Sequence, residues 1–524
     1  MYRRALSAIS AGTVLTLAVV LPGSAAGAAG STPPPVASSQ DPSAGPPLVG
    51  GPAEPHPLPA NSPFYPQVSG MHGDGGNTNT SRYAGPTGTR PVTGSAAVPL
   101  SPLLWDSAGR LTAGYVNTAS GTPVNAVAAV DPTTLAVTAE WDAPAGQTLN
   151  FGYLYQNAGD QVLVSSRQGH IYLVQRRDGS GGTTFDLVRD VDLVADGVLG
   201  PGQSLLNAAF DAAGNIWFTT GGIIGIGQNA GTSTIVGYFP PSGAPHTVDL
   251  PNQAEENGIA VSGTTAYVVT GPVADDTANA TGTMSAFAPG GGTAVTTVWN
   301  QDYRAGDGVK PGGFARGSGA TPTLLGDRYV AITDNADNQI NLLVYRQGAA
   351  GNGESQLVCG TPLFSAGASA NDVGLVGEDQ GGRYSVIVQN DFDAPQFQAA
   401  PSDVNGAFNN MDQMAPGVEK LAVPGAGGTC PKQWTAPVRV KSVPVLSTAT
   451  GLLYGYTQDP SLAADGTYVW YFTALDYRTG AVVWRVRAGG GGSYNDDYKA
   501  ATLGPDGTLY QGILGGVATL RDGS

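Results

Sequence analysis

The chain has 524 residues, 41% hydrophobic and only 12% charged, with 77 glycines, 39 prolines and a formal net charge of −16. That length supports one large core or a few ordinary domains. An acidic surface of this size argues against nucleic acid and anionic membranes as partners, and it is compatible with cations or neutral substrates.

Met1 to about Ala29 reads as a secretory signal. Arg3 and Arg4 form a basic start, Ala5 to Leu21 is apolar and small, and SAAGAA offers small-residue cleavage sites. Its removal takes two positive charges and moves the net charge from −16 to −18. No other run reaches the roughly 18–20 apolar residues of a spanning helix. A secreted protein without membrane insertion is expected, with an uncleaved anchor as the alternative. Residues 30–66 are rich in Pro, Ser and Gly and bury too little to fold alone, so they read as a disordered spacer. Residues 67–97 follow as a polar strap and closing strand.

From residue 98 to 524 a unit of four short strands, here A to D, recurs. One copy reads TPTLLGD, RYVAITDN, INLLVYRQ, LVCGTPLF (321–364), and another NGIAVSG, TAYVVTG, GTMSAFAP, AVTTVWNQ (257–301). Alternating apolar and polar residues between turn signals mark each strand. Third strands fall near Val127, Tyr172, Val236, Ser285, Leu343, Leu421, Ala474 and Ala518. This period predicts an all-β fold, a β-propeller of eight four-stranded blades, or seven if the copy at 103–143 is misread. The last copy lacks its outer strand, and AAVPL (96–100) is a candidate to close the ring.

The units AFDAAGNIWFTT, TALDYRTGAVVWRV and ATLGPDGTLYQGILGG resemble the repeats of quinoprotein-alcohol-dehydrogenase-like (PQQ-repeat) propellers. Asp476, Thr479, Gly480 and Trp484 fit the D-x-x-T-G-x-x-x-W pattern, whose Trp, by that resemblance, packs between blades. FDAAGNIWFTT is also similar to blades of gluconolactonase-like and streptogramin-lyase-like propellers. The resemblance implies architecture more than chemistry.

With antiparallel strands in order, the D→A and B→C loops share one face of the disc. The A→B and C→D turns (DAAGN, SGTT, LGDR, YRTG, GPDG) read as structural punctuation on the other. The first set is longer and more polar: NQAEENG (252–258), GFARGSGAT (313–321), TDNADNQ (333–339), GASAND (367–372), QNDFDAP (389–395) and GGSYNDDY (491–498). These loops bring acids and amides from several blades to one mouth of the central channel. Glu256, Asn257, Asp334, Asn335, Asn390 and Asn495 are the candidate metal ligands, because carboxylates and amides suit calcium. Glu256, His72 and Asp74 are the candidate acid/base groups. For each residue the plain alternative is a turn or a polar brace.

Cys359 and Cys430 are the only cysteines and are expected to pair in an exported protein. Asn79-Thr-Ser and Asn279-Ala-Thr fit glycosylation sequons. GGIIGIG (221–227) imitates a dinucleotide fingerprint without a following helix. No G-x-S-x-G, H-E-x-x-H or P-loop occurs. Three functions remain: a calcium-assisted enzyme on a small molecule or carbohydrate, a PQQ-dependent dehydrogenase, and a non-catalytic cell-surface scaffold. The first is preferred, as a monomer. PQQ ranks below calcium, because the resemblance implies a vicinal cysteine pair that this chain lacks.

Overall fold

The computed structural model describes residues 30–59, 62–200, 203–221, 233–273, 280–291, 294–314, 316–395, 403–424 and 428–524. The signal segment, most of GGIIGIG and the Asn279 sequon lie outside the described residues. Eight antiparallel sheets form the described architecture, one per blade of a β-propeller. In chain order the blades span 100–142, 155–192, 205–251, 253–304, 323–362, 376–436, 445–490 and 501–522. All eight third strands occupy their expected positions. The lone α-helix among the described residues, Pro460–Ala464, is one turn capped by Asp459.

The core lies between blades, because each sheet is apolar on both faces. Leu342 and Val344 of blade five, for example, pack against Val386 and Val388 of blade six. The A→B and C→D turns are held by their own acids. Asp211 accepts from the Ala213 and Asn215 amides, and Asp476 from those of Arg478 and Thr479, all at 2.8–3.0 Å. Trp484 is fully buried between Tyr454 of its own blade and Gly88, at the edge of blade eight. Trp434 of blade six covers the Asp476–Gly480 turn of blade seven. Its indole donates to the Tyr477 carbonyl at 2.9 Å, and a Cβ on Gly480 would sit 2.5 Å from the ring. Gly480 also has φ +72°, so it serves both the turn and the contact.

The ring is closed by an N-terminal strand, Pro91–Ala96, pairing with Gly516–Asp522 as the outer strand of blade eight. This lies five residues earlier than AAVPL, because Val98 and Leu100 are buried in the core of blade one instead. Asp522 locks the closure. Its carboxylate accepts from the Thr87, Gly88 and Thr89 amides and the Thr87 hydroxyl at 2.7–2.9 Å.

The expected spacer is not disordered over its described residues. Leu48–Gly50 pairs with the outer strand of blade seven, opposite Val486 to Trp484. The Arg487 guanidinium donates to the Ser43, Ala44 and Gly45 carbonyls at 2.7–3.0 Å. Val36 is buried against the adjoining blades. A segment without a core of its own is ordered by adding to an existing sheet edge.

The strap then threads the channel. The Gly70 amide donates to Leu154 in blade two. Backbone carbonyls of Gly76, Thr78 and Asn79 accept from Leu324, Gly377 and Leu446, on the innermost strands of blades five, six and seven. Asn77 donates through its side chain to the Ile259 and Pro322 carbonyls, and Asn79 to that of Leu375. Both adopt left-handed backbone, φ +56° and +52°, which Asn tolerates better than most residues. The Asn79 sequon is therefore buried in the axis with its amide engaged.

Cys359 and Cys430 form a disulfide 71 residues apart in sequence, stapling blade five to blade six. Replacing both by Ala is expected to lower stability by about 4 kcal/mol through loop-closure entropy, read as a lower denaturant midpoint. Asp522→Ala is expected to cost about 2 kcal/mol, since one carboxylate serves several donors. Thermal unfolding of that variant checks it, and an unchanged midpoint would show that closure does not depend on this carboxylate.

Candidate active site at the channel mouth

The D→A and B→C loops form one rim, as the strand order requires, and the strap fills the channel beneath them. Most residues expected as metal ligands brace these loops. Asn257 accepts from the Tyr153 hydroxyl at 2.7 Å, the Thr321 hydroxyl at 2.8 Å and the Gly258 amide at 3.1 Å, while its amide donates to Gly319 and Asp372 carbonyls. Asp334 accepts from the Asn341 amide at 2.6 Å and its side chain at 2.8 Å. Asn335 donates to the Ala305 and Gly308 carbonyls. Asn390 accepts from Ala370 and Phe392 and donates to Ala368. Asn495 accepts from Lys441 and donates to Asn409. These contacts are spread over separate loops. Among the described residues, no three His, Cys, Asp or Glu side chains converge so as to hold a metal ion. The expected ligand set therefore does not fit a common calcium ion, and no step is derived through one.

A stacked quinone does not fit the tryptophans either. All seven lie within strands, and three of them, Trp217, Trp470 and Trp484, are fully buried between or within blades. The disulfide sits at the blade five–six boundary, not as a vicinal pair.

His72 and Asp74 are buried in the strap and make no hydrogen bond to each other among the described residues. Asp74 is fully occupied: Ser62 and Thr78 hydroxyls and the Gly76 and Thr78 amides donate to it. It organises the strap. His72 Nδ1 has no partner among the described residues and lies close against Gly374. Burial pushes the imidazole down to about 4, so it is neutral at physiological pH. It lines a cleft with Tyr153, Asn207 and Thr321, and Tyr153 connects that cleft to Asn257 at the rim.

Glu256 is the candidate whose chemistry remains open. It is 5% exposed, and neither carboxyl oxygen has a partner among the described residues. Burial, and then the charge of Asp372, favours its protonated form and holds its pKa far above the usual carboxylate range. Asp372 is pushed up to about 7 by burial, opposed by the Phe314 amide, which donates to it at 2.5 Å, and by the Lys310 charge. Gly313 and Gly319 enclose it, for a Cβ at either would come within 2.8 Å of a carboxyl oxygen. Burial thus favours the protonated form of both acids. Asp391 extends the row: its Oδ2 accepts from the Asp372 amide, and burial raises it well above the normal range.

A buried cation completes the mouth. Lys441 donates to Asn495 Oδ1 at 2.9 Å and lies 3.3 Å from Asp496, with both side chains fully buried. Ser442 donates to the other Asp496 oxygen. The Lys441 ammonium also sits 4.8 Å from the Tyr498 ring centre, and Tyr498 meets Phe314 edge-on at 4.9 Å. Asp372, Lys441 and the Phe314–Tyr498 pair are the residues that loop polarity does not single out. A usable signal existed for Lys441, a lone lysine in the apolar run VRVKSVPV, because a lysine is almost never fully buried unless paired. Glu255, next to Glu256, faces Asn207 and Thr219 under the rim and is pushed up to about 8 by burial.

No protein-family model matches the chain. An uncharacterised protein of Archaeoglobus fulgidus is 26% identical over an alignment of 247 residues, covering 44% of this chain and 46% of the relative. The chain thus spans less than half of that relative's length. Among solved structures, the quinohemoprotein alcohol dehydrogenase of Comamonas testosteroni superposes with a TM-score of 0.50 at 11% identity, over 88% of this chain and 81% of that one. The corresponding enzyme ADHIIG of Pseudomonas putida HK5 gives 0.48 at 12% identity, over 86% and 79%. The likeness to the Comamonas testosteroni enzyme is one of propeller fold and extends to the fold alone.

Glu255, Glu256, Asp372 and Asp391 all hold protons more tightly folded than unfolded. Their stabilisation is present below the ordinary carboxylate range near pH 4.5 and is lost as pH rises through their raised values, about 7 for Asp372 and about 8 for Glu255. The melting temperature should fall between pH 5 and pH 8. Glu255→Gln, which keeps the shape without a titrating proton, should flatten that fall and melt higher than wild type at pH 8, as differential scanning fluorimetry would read.

Proposed function

We propose that this protein is an exported, monomeric propeller enzyme that binds a small molecule at the channel mouth and moves a proton on it with the Glu256–Asp372 pair. The observation that carries this reading is Glu256: a buried carboxyl on the rim, unpartnered among the described residues, beside a second carboxyl of lower proton affinity. Two carboxyls held at different proton affinities are the usual equipment of acid/base catalysis. Glu256 carries the proton to be donated, and ionised Asp372 is placed to accept one. Burial of an unpaired acid is expensive, and such groups cluster at functional sites.

Export is supported by the disulfide, which an oxidising compartment maintains, and by the leader read at Met1–Ala29. No helix among the described residues is long and apolar enough to cross a membrane. Hydrolysis or elimination on a lactone, ester or glycoside is the chemistry such a pair serves.

Turnover of a panel of lactones, esters and glycosides tests the reading. Glu256→Gln and Asp372→Asn should each lower kcat/KM on any accepted substrate by about 100-fold or more, with melting temperatures at or above wild type. Wild-type turnover in both variants would overturn it.

A further inference from the structure

The sequence carries a run of four glycines, Gly489–Gly492, where the outer strand of blade seven passes into the rim loop. The fold gives that run a use. A Cβ on Gly490 would stand 2.8 Å from the Asp41 carbonyl oxygen, and one on Gly491 would stand 2.8 Å from the Gln40 amide. A Cβ on Gly515, in the neighbouring turn of blade eight, would stand 2.6 Å from a Val36 methyl. The glycines are bare because residues 36–41 of the N-terminal arm lie against them. Val36 is the one buried residue of 30–47, so the order of this stretch depends on its seat.

The arm holds two loops at once. Tyr494 donates to the Val36 carbonyl at 3.2 Å, and the Val36 amide donates to the Ser95 hydroxyl at 3.0 Å. Ser39 donates to Asn405 Oδ1 at 2.8 Å, and Asn405 donates back to the Ser39 carbonyl at 3.1 Å. The same Asn405 oxygen accepts from the Gly492 amide at 2.9 Å. Gln40 accepts from the Tyr468 amide at 2.7 Å, and the Tyr468 carbonyl accepts from the Gly491 amide at 2.7 Å. Ser39 is thus tied to both 403–410 and 491–498, and these loops meet again at the mouth. The Gly492 carbonyl accepts from the Asn495 amide at 3.0 Å. The Asn495 side chain donates to Asn409 at 2.8 Å and accepts from Lys441 at 2.9 Å.

We propose that residues 36–41 are a removable clamp on the mouth. In place, they fix the loops that carry Asn409 and Asn495–Asp497, and so seat Asn495 and Asp496 against Lys441. Asp41, Pro42 and Ser43 are exposed. An endopeptidase that hydrolyses one peptide bond there, with water as co-reactant, leaves the clamp as a short fragment with a new carboxyl terminus. The ring survives the cut. Leu48–Gly50, the strap and the closing strand Pro91–Ala96 all lie C-terminal to it and stay attached. The fragment has one buried apolar side chain and a few hydrogen bonds, and the cut removes the effective concentration that kept it seated. The two loops then lose their shared anchor at Asn405, and the mouth opens locally. The clamp regulates the site assigned above, and its consequence for activity rests on that reading.

A protease site inserted after Ser43 in the full chain, and cut once the protein has folded, tests this. Hydrogen exchange is followed in peptides covering 403–410 and 491–498, with blade five at 323–362 as the control. After the cut and gel filtration, exchange in the two loops should rise about tenfold or more while blade five stays unchanged. The peptide of residues 30–43, added back at about millimolar concentration, should restore protection. The same peptide carrying Val36→Asp should not. In the uncut chain, Val36→Asp and Ser39→Ala should reproduce the loop exchange, and Val36→Ile should keep the protection. Three results overturn the inference: a fragment that stays bound through gel filtration, loop exchange unchanged after it has left, or an equal rise in blade five, which marks general loosening. The two readings fail separately. Unchanged loop exchange removes the clamp whatever Glu256→Gln does to turnover. Wild-type turnover in Glu256→Gln and Asp372→Asn removes the catalytic reading and leaves the exchange result in force.

Discussion

The structure depends on the pairing of the N-terminal strap with the innermost strands of the blades. A propeller leaves an unpaired inner edge on each blade, and an unpaired backbone edge is a liability whether it faces water or a partner. Here one polar segment supplies carbonyls to blades five, six and seven, accepts blade two as a partner, and spends two asparagine side chains on blades four, five and six. Asp74 makes this possible by gathering the strap's own amides and hydroxyls into one tight turn. The same chain then closes blade eight, and Asp522 ties that closure to the Thr87–Thr89 loop. Blade seven is held from both edges, by Leu48–Gly50 outside and by Thr80–Ser81 inside.

The plugged axis shapes the chemistry above it. Water that would otherwise solvate the rim from below is replaced by strap and inner strand, so the acids of the mouth are desolvated. That is why Glu255, Glu256, Asp372 and Asp391 all move in the same direction. The acids on the opposite face are not moved this way: Asp476 sits in its turn with several donors, which hold its pKa below the carboxylate norm. The same residue type thus meets hydrogen-bond donors in the turns of one face and burial at the mouth on the other.

The blade count and the positions of all eight third strands were legible in the chain, because strand periodicity and turn chemistry are local. The disulfide was legible because only two cysteines exist. The spacer was misread because order there comes from docking on blade seven, and nothing in a Pro- and Ser-rich segment announces that. The site was legible as a set of loops but not as a set of roles. Asn257, Asp334, Asn335, Asn390 and Asn495 look like ligands in sequence and turn out to hold loops together. Asp372 looks like one more turn residue, yet faces Glu256 and contacts blades four, five and six.

The sequence by itself determined the architecture, since two-residue alternation and glycine-bearing turns act over a few residues and need no knowledge of what lies across the ring. It also determined which loops share a face, because antiparallel order leaves no other arrangement. Only the tertiary structure decided that the axis is filled, which polar side chains are spent on bracing and which are left unsatisfied. Those outcomes depend on burial and on partners that are up to hundreds of residues distant along the chain, as Thr87 is from Asp522. A carboxyl's proton affinity is set by that surrounding, and no stretch of sequence around Glu256 contains it.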